Sequence, residues 1–585
     1  MRYSRPFRNF AAFVCLTLAT ACAPQGVMEQ AAMEGGDVPL PVTGRSVVNT
    51  EMGIVATNNP LASSVGVQIL EQGGNAIDAA IAANSALALM DPTSNGLGGD
   101  LFAIIYLAET EEIFGLNASG WSPAALDAQY LKELGHESMP RRGIHSVTVP
   151  GVIAGWDAMR ERFGNLDFGT ILAPAIWYAE NGFPLHEVTG RMWAGSVDMH
   201  QQHPNSAHTY LVDGERAPKV GEVFKNPDFA NTLRRIVADG RDGYYKGPTA
   251  EAIIAISDEF DGTMTLDDLA QYEAEWTETI STTYRGWTVH EMPPNGQGIA
   301  ALMMLDIMEN FPLGEYGFHS PEALHVMIES KKLAYADMIT YVGDPRFSKV
   351  PVEGMLDKEW ARERAQLIDM NQAMCSVEPS RFVGLDNEDG GDTIYLTTID
   401  KDGNIVSYIQ SNYSGFGSGL VPPGTGFMLH NRGALFTLDE SHPNVLEGHK
   451  RPLNTIIPGL MVNNEGGERI GFGIMGGFNQ PQAHAQFIAN IVDYGMNIQQ
   501  AHEAGRFTKG SFDGCDVNME MMIPEWVRAD LTALGHEISV RPPRTGGFGY
   551  GQAVMGDGTG VHYGASESRH DGMAMPQAAP VFANR

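Results

Sequence analysis

Gly390-Gly391-Asp392-Thr393-Ile394-Tyr395-Leu396-Thr397-Thr398-Ile399-Asp400-Lys401-Asp402-Gly403-Asn404 is the stretch on which the reading of this chain turns. Thr393 to Asp400 is rich in β-branched and aromatic residues and reads as a strand. Lys401-Asp402-Gly403-Asn404 is a hairpin turn, and Ile405 to Tyr413 is a second strand. The run before it, Leu385-Asp386-Asn387-Glu388-Asp389-Gly390-Gly391-Asp392, is acidic and turn-rich, hence cuttable. A threonine that opens a strand directly after such a loop has a chemical option closed to other threonines. Its hydroxyl alone is a poor nucleophile. Cutting the preceding peptide bond frees its own α-amine, whose reference pKa of about 7.7–8.0 suits it to take and return the hydroxyl proton. Most strand threonines have no such role, so Thr393 is weighed with the rest of the chain.

Outward on the N-terminal side, Asn59 to Met90 has helical periodicity interrupted at Gly73-Gly74-Asn75-Ala76. Asn95-Gly96-Leu97-Gly98-Gly99-Asp100 is a glycine turn feeding a strand from Leu101 to Tyr106. Residues 150–345 are mostly helical in period, with a strand near 288 ending at Pro293-Pro294-Asn295-Gly296 and a long helix from Pro321 to Met338. Beyond Tyr413 come short strands, glycine turns and a helix near 481–505, without a tandem repeat.

The 585 residues are 43% hydrophobic and 19% charged, ordinary for a globular chain. With 38 Lys plus Arg against 71 Asp plus Glu, the net charge of −33 disfavours nucleic acid as a partner. Four cysteines are too few for a disulfide scaffold at this length; Cys375 and Cys515, which lie in the body, are free to pair or stay reduced. Residues 1–22 carry a basic start, a short apolar run and Leu18-Ala19-Thr20-Ala21-Cys22, the pattern of a lipoprotein signal that would lipidate Cys22 and remove Cys15. A plain secretory signal is the alternative. Either implies export, to the periplasm with a membrane anchor in the lipidated case. Residues 23–45 read as a flexible tether.

Several motifs, taken in order, carry a family likeness: Gly73-Gly74-Asn75-Ala76-Ile77-Asp78-Ala79-Ala80, Gly96-Leu97-Gly98-Gly99, Val149-Pro150-Gly151, Lys332-Leu333-Ala334-Tyr335-Ala336-Asp337, Thr393, Asp400 to Asn404, Arg451-Pro452-Leu453 and Gly476-Gly477. Together they resemble the γ-glutamyltranspeptidase (glutathione hydrolase) family of N-terminal-nucleophile hydrolases. The resemblance implies an α/β fold, a four-layer αββα sandwich, made as a precursor that cuts itself between Asp392 and Thr393. Residues 46–392 would form the large subunit and 393–585 the small catalytic one. It implies that Thr393 attacks a γ-glutamyl amide and that Ser411 hydrogen-bonds the nucleophile. Gly476 and Gly477 would form the oxyanion hole, and Asn454-Thr455 would stand where a Ser-Ser pair holds the donor carboxylate. The partners implied are a glutathione-like amide donor and water, an amino acid or a peptide as acceptor, with no metal and no cofactor.

Departures from the family pattern fall on substrate choice. Ser119 stands where an arginine grips the donor carboxylate, Tyr413 replaces an asparagine, and Leu435 replaces the acid that binds the donor amine. Arg432 is the candidate replacement fork for a carboxylate, a surface arginine being the alternative. A short Phe436–Lys450 segment suggests an open, lidless site. These features resemble the cephalosporin-acylase-like branch, so an acylase acting on another amide is the alternative reading, and an uncleaved binding or scaffold lipoprotein a further one. Asp386, Glu388 and Asp389 lack the spacing of a calcium loop, and His200 and His203 read as surface residues.

Overall fold

A computed structural model describes residues 38–41, 43–377, 392–542 and 547–580. The signal segment with Cys15 and Cys22, residues 23–37 of the expected tether, and the loop holding Asp386, Glu388 and Asp389 lie outside the described residues. Where the tether was expected to end, the Arg45 guanidinium donates to the Gly572 carbonyl at 2.8 Å.

Two seven-stranded antiparallel sheets face one another. The first runs Met573–Pro576, Ile54–Thr57, Asp392–Ile399, Ile405–Tyr413, Asp100–Leu107, Glu112–Ala118, Glu275–Thr277. The second runs Val48–Thr50, His562–Ser566, Gly551–Gly556, Arg469–Ile474, Gly459–Asn463, Trp287–Glu291, Ile280–Tyr284. Strands from both sides of the Asp392–Thr393 bond are interleaved in each sheet.

Side-chain alternation builds the layers. In the Asp100–Leu107 strand, Leu101, Ala103 and Ile105 point to a core shared with the helices Pro60–Glu71 and Ala76–Met90. Phe102, Ile104 and Tyr106 point the other way and meet Tyr395, Ile409, Leu460 and Val554 between the sheets. A third core joins the second sheet to the helices Gly298–Met308, Pro321–Tyr341 and Gln480–Val492. The order is helix, sheet, sheet, helix: the αββα sandwich. Each buried Leu or Phe contributes about 1.5–3 kcal/mol, so these cores hold the frame.

The hairpin after the Thr393 strand is tied into the helical layer. Asp400 Oδ1 accepts from the backbone N–H groups of Asp402 and Asn404, at 3.0 Å each. Its Oδ2 accepts from Ala76 N–H, at the start of the Ala76–Met90 helix, at 3.1 Å. Asn75 caps that helix in a capping box with Asp78.

Some sequence expectations change. The helix near 481–505 is two helices, Gln480–Val492 and Ile498–Glu503, because Asn497 caps a new start. The long helix runs on to Tyr341. His200 is not a surface residue: its ring packs 4.2 Å from Phe416 and hydrogen-bonds Ser206 at 2.8 Å. Burial lowers its pKa to about 3, so it is a neutral core histidine. Cys375 and Cys515 are joined in a disulfide. No helix among the described residues is long and apolar enough to cross a membrane.

Candidate active site

Thr393 and Ser411 sit on adjacent antiparallel strands at one end of the first sheet, 1% and 0% exposed. A register shift between Asp392 and Ile394 interrupts the ladder there. Thr393 Oγ1 donates to Ser411 Oγ at 3.1 Å, and Ser411 Oγ donates to the Asp392 carbonyl at 2.9 Å. Tyr413 N–H donates to the same Ser411 oxygen at 2.7 Å. The Ser411 hydroxyl therefore uses its proton and both lone pairs. It is pinned, and it polarises the carbonyl of the Asp392–Thr393 bond.

The second sheet delivers Gly476 and Gly477. Along Arg469–Ile474, a Cβ on Gly471 would stand 3.0 Å from Thr397 Oγ1, and one on Gly473 would stand 2.3 Å from the Tyr395 ring. Only glycine lets the strand pass Tyr395 so closely. The strand thus tracks from Thr397 past Tyr395 toward Thr393, and the turn at Gly476 and Gly477 follows. These two have φ of +136° and +58°, backbone that side chains resist. Gln297 Nε2 spans this turn, donating to the carbonyls of Gly477 at 2.8 Å and Thr455 at 2.6 Å.

Behind Ser411 lies a buried polar network. Asp100, paired in register with Ser411, receives Arg432 Nε at 2.8 Å and Nη2 at 3.0 Å. Asn454 Nδ2 donates to Asp100 at 2.8 Å and to Ser119 Oγ at 2.9 Å. Arg432 Nη1 donates to Thr455 Oγ1 at 2.8 Å, and its guanidinium lies 4.9 Å from the centre of the Tyr413 ring. Asn295 also reaches Ser119 Oγ, at 3.3 Å.

One expectation for this region is corrected. Arg432 is 0% exposed, so it is no surface arginine, and its carboxylate fork is already filled by Asp100. In the Phe436–Lys450 segment, Phe436, Leu438, Val445 and Leu446 pack against Leu126 and Leu131; Thr393 is buried in the uncut chain. Leu435 is buried and apolar, with no charge to offer an amine. Sequence reading missed Asp100, Asn295 and Gln297, and also Arg141 and Arg142. Both arginines are exposed; Arg142 exerts an attraction on Asp392, and Arg141 lies close enough to Tyr413 to act on its hydroxyl.

One group of described residues has metal-ligand spacing: His325, Glu329 and His536. It is closed on itself, with the two imidazoles hydrogen-bonded at 2.8 Å and the Lys332 ammonium on Glu329 at 2.6 Å.

Asp392 keeps some accessible surface but lies deep among protein atoms. Burial, then repulsion from Asp91, outweighs attraction by Arg142 and lifts its carboxyl to about 7. The folded precursor therefore holds a proton that the unfolded chain releases near pH 4. The stability from this group is full below the unfolded pKa and is lost as pH rises through about 7. In an uncleavable Thr393→Ala background, denaturant melts from pH 4 to 8 should show a decline on the order of a few kcal/mol that Asp392→Asn removes. Parallel profiles for the two proteins would refute this account of Asp392.

Residues 62–577 match the family model described as Gamma-glutamyltranspeptidase. A glutathione hydrolase-like proenzyme of Bacillus subtilis is 35% identical, over 91% of this chain and 99% of its own length. The acylase ACY 1 proenzyme of a Pseudomonas species is 34% identical, over 87% of this chain and 90% of its own. The crystal structure of a cephalosporin acylase from Bacillus halodurans superposes with a TM-score of 0.84 at 40% identity, covering 93% of this chain and 99% of that one. With the αββα sandwich and the Thr393 constellation at its end, these matches show that the chain belongs to the γ-glutamyltranspeptidase family.

Proposed function

We propose that the chain cuts its own Asp392–Thr393 bond and then, as a two-chain enzyme, cleaves γ-glutamyl amides such as glutathione through an acyl-Thr393 ester. The hydrogen-bond chain from Thr393 through Ser411 to the Asp392 carbonyl carries this reading. As Thr393 Oγ1 attacks the Asp392 carbonyl carbon, its proton moves to Ser411 Oγ, and the Ser411 proton moves to the carbonyl oxygen. Ser411 ends as it began. The five-membered ring opens at its C–N bond, the nitrogen taking a proton. That leaves an ester and a free α-amine, and water releases the Asp392 carboxylate.

The freed amine is the base of the second act. It takes the Thr393 hydroxyl proton as Oγ1 attacks the donor amide, and gives it to the leaving amine. Backbone N–H groups at Gly476 and Gly477 serve the developing oxyanion. Water, an amino acid or a peptide then takes the acyl group. Arg141 and Arg142 supply positive charge on the Asp392 and Tyr413 side of the site for an acidic donor.

A second reading has observations of its own. Leu435 is apolar, Ser119 is neutral, and Arg432 is committed to Asp100, so recognition of the donor's α-amine and α-carboxylate lacks the usual ion pairs. This favours an acylase acting on donors without an α-amine. Turnover of γ-glutamyl, glutaryl and simple acyl anilides separates the two. On the glutathione reading, losing the α-amine lowers kcat/KM by about 10-fold or more. Equal or better turnover of the glutaryl anilide replaces that reading with the acylase one.

Export and lipidation of Cys22 belong to the same proposal. The Cys375–Cys515 disulfide supports an oxidising compartment. A mature large subunit whose intact mass lacks a lipidated Cys22 would remove the anchor.

A further inference from the structure

Cys375 and Cys515 stand on opposite sides of the Asp392–Thr393 bond, and their Cα atoms are 4.7 Å apart in the disulfide. The segment around Cys375 is held to the later part of the chain by its backbone as well. Ala373 N–H donates to the Leu534 carbonyl at 2.7 Å, and Gly514 N–H donates to the Cys375 carbonyl at 2.8 Å. On the other side, Glu537 N–H donates to the Cys515 carbonyl at 2.8 Å. Lys332 and Glu329, both buried on the long helix, grip Met374 through its carbonyl at 2.6 Å and its N–H at 3.1 Å. Cys515 is 3% exposed, whereas Cys375 faces solvent.

We propose that the Cys375–Cys515 disulfide is the interchain bond of the mature enzyme. Cutting at Asp392–Thr393 turns an intrachain cross-link into a covalent bond between large and small subunits. This rests on the self-cleavage reading above. Its formation joins the two Sγ atoms, and the two protons and two electrons pass to a disulfide-exchange oxidant of the exported compartment.

The consequence is mechanical. Both subunits contribute strands to both sheets, so separating them would expose the core between the sheets. A covalent link keeps any such opening intramolecular, at high effective concentration. It also holds the segment around Cys375 beside Leu534 and Glu537 after the cut. Because Cys375 faces solvent, a dithiol can attack the bond and close to its own cyclic disulfide, leaving two protein thiols.

The test is a denaturing gel of the full-length protein made in an oxidising compartment, its free thiols alkylated, run with and without dithiothreitol. Without reductant the cut enzyme should run as one species; with it, as two bands of about 40 and about 20 kDa, at the chain's own mass per residue. Two bands without reductant would overturn the interchain bond while leaving self-cleavage intact. One band in both lanes would overturn self-cleavage and, with it, the interchain bond. Cys515→Ser should give two bands in both lanes. Should that variant fail to fold, a non-reduced digest of the wild type serves instead. It should contain the Cys375 peptide joined to the Cys515 peptide, and alkylated Cys375 in its place overturns the proposal.

Discussion

Thr393→Ala should leave the chain uncut under reducing conditions and lower amide turnover by on the order of 10⁴-fold or more, the scale on which an enzyme loses its nucleophile. The reason lies in the three atoms at the strand start. Thr393 Oγ1 is the group poised beside both Ser411 and the Asp392 carbonyl, and the same oxygen later carries the acyl group. Alanine removes the attacking atom from both reactions while keeping the strand. Thr393→Ser keeps the oxygen and should still cut. Ser411→Ala keeps the nucleophile but loses the carbonyl polariser, so processing should slow by about 10²-fold, as on removal of one oxyanion donor. Gel densitometry over time and anilide turnover read both effects. A Thr393→Ala protein that still splits, or still turns over substrate near the wild-type rate, would place the nucleophile elsewhere.

What sequence could show of this site followed from how local each signal is. The Thr393 strand, the Asp400–Asn404 turn and the Ser411 strand are one hairpin, so period and turn chemistry expose them together. The turn at Gly476 and Gly477 needs positive φ, which leaves a mark in the choice of glycine. The Arg432–Asp100 pair joins residues 332 positions apart, and no periodicity marks such a contact. Asp100 reads locally as the end of a glycine turn, and Gln297 as part of the turn that closes the strand near 288. His200 looked exposed because its neighbours in sequence are polar, while the aromatic rings that bury it, Tyr210 and Phe416, come from other segments. The disulfide needed a distance that spacing cannot supply. The sandwich itself was legible through family likeness, and its physical basis shows only in the three cores.

Breaking the Arg432–Asp100 pair should be the most damaging change that leaves Thr393 and Ser411 in place. Both side chains are 0% exposed, and the pair is a two-point fork with Asn454 as a third donor to Asp100. Asp100→Ala strands a guanidinium in a dry interior, which costs about 3–5 kcal/mol. Arg432→Met strands the carboxylate and should cost a similar amount. Hydrophobic replacement of both, Asp100→Leu with Arg432→Met, leaves no buried charge, so stability should recover beyond the sum of the single losses; denaturant midpoints of the four proteins measure that coupling. Activity should not recover with it. Arg432 holds the Thr455 hydroxyl and underlies Tyr413, and Asp100 holds Asn454 against Ser119. A double variant that is stable but slow identifies the pair as a positioning device for the donor-binding residues. Strictly additive losses would mean that the two charges do not depend on one another. A double variant with wild-type kcat/KM would confine the pair to stability and leave donor selection to other groups, Arg141 and Arg142 among them.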